Sequence, residues 1–305
     1  MNKTVTDDEF DHATTEVNGI EMHYAEAGSG PLVVLLHGFP EFWYAWAEHM
    51  EMLADEDYRV VAPDLRGYNR TDRPEGISSY TLPTLADDVI ELIESFDDDE
   101  EVILVGHDWG GIVAWRVASE RPDLVSDLVT VNGPHPAISL RELQKPSNLP
   151  TAWYFFFYQL PAVPELLMKA GDFSLMESAF RSDTTTDDAF SEAEIDRYKE
   201  MMADPGLFSA AINYDRGLFR VLLSEKFGSL IPGMDDDPIV TDMHIEVPSL
   251  VLWGLQDSYY HPEMLDGLDE WVEELTIETY PDASHWLPAE YPEEVVDQIT
   301  GFVDE

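Results

Sequence analysis

Three positions in this 305-residue sequence have the residue types and the order needed for nucleophilic displacement: Asp108, Asp257 and His285. Asp108 is the centre of Gly106-His107-Asp108-Trp109-Gly110-Gly111. Four apolar residues (102–105) precede this turn, and Ile112, Val113, Trp115, Val117 and Ala118 follow it at helical spacing. Buried strand, glycine turn and helix make a nucleophile elbow, the G-x-S-x-G arrangement with aspartate in the serine position. The N–H groups of the following helix favour an anion at that point. The other role open to Asp108 is that of an ordinary helix N-cap.

An elbow nucleophile needs a base, and the base needs an orienting acid. Asp257 ends Trp253-Gly-Leu-Gln-Asp257, and His285 follows in Pro281-Asp-Ala-Ser-His285-Trp286. Each lies just after an apolar stretch, where the C-terminal edge of a parallel sheet gathers catalytic groups. Taken alone, Asp257 also reads as a turn residue. Among the other histidines, His107 points to the opposite side of its strand from the nucleophile. His37 ends a buried strand and reads as structural. His244 and His261 have no partner at metal-ligand spacing, and no zinc motif is present.

The elements that must position these groups follow from hydrophobic patterning. Residues 1–12 read as a mobile arm. Stretches 14–17 and 20–25 around Asn18-Gly19 predict a hairpin, 31–36 a buried strand, and 43–56 a helix. A strand (58–63), a loop rich in glycine, proline and arginine (65–76) and a helix (82–96) lead into the elbow, with a further strand at 128–132. This alternation predicts a mostly parallel sheet with helices on both faces. About one hundred residues without a convincing strand come next, and the sheet then resumes at 248–254 and 275–280 before a last helix at 293–303. The expected organisation is a core from 1–135 and 236–305 with a helical lid at 136–235. Aromatic residues of the lid and elbow, Trp109, Trp153, Phe155 and Phe157, are expected to line a pocket between lid and sheet edge.

Five segments together resemble the epoxide hydrolases of the α/β-hydrolase superfamily: His37-Gly-Phe-Pro-Glu41, Asp64-Leu-Arg-Gly-Tyr68, the elbow, Trp253-Gly-Leu-Gln-Asp257 and His285-Trp286. Haloalkane and haloacetate dehalogenases share most of them. The resemblance implies the α/β-hydrolase fold with an inserted α-helical lid, and a triad of Asp108, Asp257 and His285. It implies an oxyanion hole from the backbone N–H groups of Phe39 and Trp109, and a cis bond before Pro40. A carboxylate suits attack at saturated carbon, giving an alkyl-enzyme ester that a histidine-activated water hydrolyses. Opening an epoxide leaves an alkoxide that needs a proton, whereas halide release does not. Epoxide hydrolases carry lid tyrosines for this, and Tyr154 and Tyr198 stand at the matching places. Departures from the pattern are Asn69 and Ala162 for glycines, and Asp215 for an aromatic residue before arginine. A dehalogenase is the alternative reading, with Trp109 and Trp153 offering indole N–H groups to halide. A non-catalytic ligand sensor is a further one.

Sixteen basic against 63 acidic residues give a net charge of −47, spread along the chain. Such a charge disfavours nucleic acid and anionic membranes as partners and points to a cytoplasm rich in salt, where counterions screen it. Runs at 97–101 and 235–237 read as solvated loops. The cysteine-free composition suits a reducing compartment. The expected partners are a small apolar substrate and water, without cofactor or metal, in a monomer or homodimer.

Overall fold

The strand that carries the elbow is buried along its whole length, so the chain must build layers on both of its faces. The computed structural model describes residues 6–96, 100–145, 147, 153–186, 189–227 and 243–304. The expected acidic runs at 97–99 and 235–237 and the end of the helical segment lie outside these residues. Eight strands form one sheet: β1 (Asp11–Val17), β2 (Ile20–Gly28), β3 (Leu32–Leu36), β4 (Arg59–Pro63), β5 (Val102–His107), β6 (Val125–Val131), β7 (Ser249–Gly254) and β8 (Leu275–Tyr280). Their order is β1-β2-β4-β3-β5-β6-β7-β8. The β1–β2 hairpin and the β2–β4 pair are antiparallel, and the remaining pairs are parallel. The all-apolar runs of β3 and β5 follow from helices covering both faces.

Helices α1 (Ala47–Asp55), α2 (Leu82–Glu94) and α3 (Trp109–Glu120) connect the first parallel strands. The helix expected over 43–56 is split: Trp43–Trp46 form a tighter 3-10 turn before α1. Residues 7–12 are held rather than mobile. Asp7 accepts from Arg70 at 3.1 Å and from Arg197 at 2.6 Å, and Asp11 and His12 already belong to β1. Two cations from distant segments fix this stretch, which no local pattern announces.

Between β6 and β7 the described residues contain helices and no strand, as the sequence predicts. The last two of these helices are Leu207–Ala211 and Asn213–Phe227. Tyr214 ties this segment to the core by donating to the Arg66 carbonyl at 2.8 Å. Arg66 itself is buried against Asp88, with Nε to Oδ2 at 2.6 Å, and Asn18 donates to Asp88 at 2.9 Å. Replacing Asp88 by alanine leaves a guanidinium buried without its counter-charge. The expected loss is about 3 kcal/mol of folding stability, read from urea unfolding at constant salt.

Candidate active site

Asp108 stands between β5 and α3 with φ +50° and ψ −119°, a strained conformation for a residue with a side chain. Its side chain makes no cap bond to the helix, so the N-cap reading fails. Close backbone approach builds the turn: a Cβ at Gly110 would sit 2.2 Å from the Leu36 carbonyl oxygen. A Cβ at Gly38 would meet the Cβ of Asp108 itself at 2.5 Å, so glycine is needed there to admit the carboxylate. The bond before Pro40 is cis.

The Phe39 N–H donates to Asp108 Oδ1 at 2.8 Å. Trp109 opens α3, and its N–H is one of the groups a helix start leaves unpaired. Opposite, His285 Nε2 lies 3.7 Å from Asp108 Oδ2, and its Nδ1 lies 2.9 Å from Asp257 Oδ2. Asp257 is fully occupied. Its Oδ1 accepts the N–H groups of Tyr259 and Tyr260 at 2.7 and 2.8 Å, and Oδ2 accepts from Asn132 at 2.7 Å. Burial opposes a charge on His285, but Asp257, Asp108 and Glu41 outweigh it and raise its pKa to about 9.

The carboxylate of Asp108 faces a cavity of about 430 Å³ whose wall includes Trp109, Trp153, Tyr154, Phe157 and Tyr158. Burial, then nearby carboxylates, push the Tyr154 hydroxyl well above the usual phenol range, so it keeps its proton. Two expected residues lie elsewhere. Tyr198 is buried away from this cavity, stacked on Phe180 at 4.9 Å and edge-on to Phe42, and lines a separate small cavity with Glu41 and His107. The helix face that carries it is turned by the fit of Ile195, Met201 and Met202 into the core. Phe155 points into the neighbouring cavity and packs on Phe219, while Phe157 faces the reaction cavity and Tyr154 lines both.

Further groups surround the triad, and of these Asn132, Tyr259 and Tyr260 carry no local sequence signal. Asn132, at the end of β6, grips both Asp257 and the Gly254 N–H, joining the two strand ends. His107 points away from Asp108, as strand alternation requires, and bridges Glu41 at 3.0 Å to the His285 carbonyl at 2.9 Å. The rings of Tyr259 and Tyr260 flank His285. His37 is structural: its Nε2 accepts the Leu65 N–H at 3.0 Å. No group of three metal-ligating side chains occurs among the described residues, and no helix among them is long and apolar enough to cross a membrane.

Asp215 departs most from the expected lining. It is 6% exposed and lies beside Trp109 and Tyr154. Burial and the charge of Asp108 push its carboxyl well above the usual range.

Comparison with known proteins agrees with this architecture. Residues 31–292 match the family model described as alpha/beta hydrolase fold. The chain is 39% identical to the AB hydrolase superfamily protein YfhM of Bacillus subtilis, over 92% of this chain and 93% of that protein. It is 34% identical to human epoxide hydrolase 4, over 94% of this chain and 77% of that one. Among solved structures, an epoxide hydrolase from Bacillus megaterium in complex with a naphthyloxy-propanediol product superposes with a TM-score of 0.83 at 27% identity, covering 96% of this chain and 100% of that one. An epoxide hydrolase from Vigna radiata gives 0.79 at 28% identity, covering 98% and 99%. With its elbow, sheet order and family match in agreement, the chain belongs to the α/β-hydrolase superfamily.

Proposed function

We propose that this protein is an epoxide hydrolase, converting epoxides to vicinal diols through an ester of Asp108. The observation that carries the reading is a carboxylate at the elbow, held by one N–H on Oδ1 and facing a cavity lined by protonated phenols. Relatives named as epoxide hydrolases agree with it. The helical segment 136–235 acts as the lid.

Asp108 Oδ2, the oxygen not held by Phe39, attacks a ring carbon. The carbon–oxygen bond of the ring breaks, and Tyr154 gives its proton to the leaving alkoxide. Esterification removes the negative charge of Asp108, one of the charges that raise the His285 pKa to about 9. His285 then loses affinity for its proton, which returns by way of water to the Tyr154 phenolate, and the neutral imidazole becomes able to take one from the attacking water. The resulting hydroxide adds to the ester carbonyl, with the oxyanion on the N–H groups of Phe39 and Trp109. Collapse releases the diol and leaves one oxygen from water in the side chain of Asp108. Because His285 is charged in the resting site, ester formation itself switches the base on.

Trp109 weighs against the dehalogenase alternative. Its side chain lies beside Asp215, and a buried carboxyl in the cavity wall disfavours a departing anion. The net charge of −47 supports action in a salt-rich cytoplasm. Wild-type protein in concentrated potassium chloride should form diol from an aryl epoxide and release no halide from haloacetate or haloalkane. Halide release without diol overturns the reading. Tyr154→Phe should slow ester formation by about a hundredfold while leaving ester breakdown near its normal rate, separable by pre-steady-state quench.

A further inference from the structure

Asp215 places a carboxyl in the wall of the reaction cavity, 94% removed from solvent if its 6% exposure is inverted. The charges that face it are Asp108, across the same cavity, and Arg216. Arg216 does not neutralise it by contact. Its guanidinium is spent on the Tyr158 carbonyl at 2.7 Å and Glu165 at 3.0 Å. The other titratable groups around Asp215 are the phenols of Tyr68, Tyr154, Tyr158 and Tyr260, with His285 in the same cavity and Glu142 and His261 in the adjoining one. No lysine or arginine lines the cavity among the described residues, and Asp183 adds a third acid at its wall. Much of the remaining surface is aromatic, including Phe39, Trp153, Phe157 and Trp286.

Aromatic faces attract cations, and more so where water is excluded. A buried carboxyl beside them, raised in pKa while the cavity is empty, regains its charge when a positive group arrives. An anion there would meet Asp108, Asp183 and Asp215, and the one cation on the wall among the described residues, His285, is already paired with Asp257. An uncharged apolar substituent would leave the Asp215 carboxyl with only its own backbone N–H and Trp109 beside it. Charge complementarity of this kind sets specificity more than bulk affinity.

We propose that Asp215 is a specificity-determining residue and that the preferred substrates are epoxides bearing an ammonium substituent. The inference rests on the epoxide-opening reading and narrows it to a substrate class. Asp215 does not touch the reacting atoms. It anchors the cationic end while Asp108 and Tyr154 work on the ring.

The test compares glycidyltrimethylammonium with its uncharged carbon isostere, 1,2-epoxy-4,4-dimethylpentane, by diol formation. Concentrated potassium chloride screens the long-range pull of the whole acidic chain on any cation. Wild type should favour the cation by about tenfold or more in kcat/KM, and Asp215→Asn should bring that ratio to about one. A wild-type ratio at or below one overturns the proposal, whatever the variant does. So does a ratio that Asp215→Asn leaves intact, since the preference then comes from elsewhere. Absence of diol from both compounds instead removes the epoxide reading, and the inference with it.

Discussion

Replacing His285 by glutamine should stop the reaction halfway. The first displacement needs only Asp108, the N–H of Phe39 and a proton donor, none of which the substitution removes. The second needs a base within reach of a water beside the ester, and glutamine has none. Turnover of an epoxide should fall by about a thousandfold or more, while one equivalent is consumed in a burst. Mass spectrometry should then find the peptide containing Asp108 heavier by the whole epoxide, because ring opening adds every atom and expels none. A mass increase on a different peptide, or wild-type turnover with no adduct under any condition, removes the ester mechanism. Wild-type enzyme turning over in oxygen-18 water offers the complementary check, since the label must enter the Asp108 carboxylate.

Asp257→Asn should be comparably damaging, for an electrostatic reason. Asp257 Oδ2 lies 2.9 Å from His285 Nδ1, and Asp257 is the foremost of the charges raising the His285 pKa. An amide keeps the shape but not the charge, and its NH2 competes for the position of an acceptor. The expected loss in kcat is about 10³ to 10⁴-fold. The imidazole pKa, followed by NMR, should drop from about 9 to below the ordinary 6.5, because burial then acts with less opposition. The same change alters stability. A histidine pKa raised on folding contributes stability that is fully present below 6.5 and is lost as pH rises through about 9. The interval between those values is worth roughly 3 kcal/mol as an upper bound. Wild-type unfolding free energy should therefore fall between pH 6.5 and pH 9, and the Asp257→Asn protein should lack this decline. A His285 pKa unmoved by the substitution would mean that Asp257 does not control the imidazole.

These two experiments address residues that were legible in the sequence, and the reason is physical. The elbow is contiguous: the glycines around Asp108 and the apolar runs on either side dictate strand, turn and helix by local sterics. Asp257 and His285 follow strands β7 and β8, so their place at the C-terminal edge comes from strand direction alone. Burial on both faces makes β5 and β7 easy to read, and the alternation of strand and helix leaves few topologies open.

What the sequence left open depended on contacts between distant segments. Residues 7–12 looked mobile because nothing nearby holds them, yet Asp7 meets Arg197 across 190 positions. The direction of each aromatic on the helical segment was equally hidden. Tyr154, Phe155, Phe157 and Tyr158 are all large and apolar in a short run, and only docking against the core decides which face the cavity. The same holds for Tyr198, whose helix packs it onto Phe42 and Phe180 instead. Asn132 was invisible as a site residue because its value lies in bridging Gly254 and Asp257, more than a hundred positions later.

Sequence by itself thus determined the elbow that carries Asp108, the places of Asp257 and His285 after it, and the sheet that presents them, since each follows from periodicity and local backbone sterics. Tertiary structure alone decided the shape and charge of the space above them. A side chain's direction on an amphipathic helix, and the proton on a buried carboxyl such as Asp215, are set by what packs against them, which no single stretch of chain encodes.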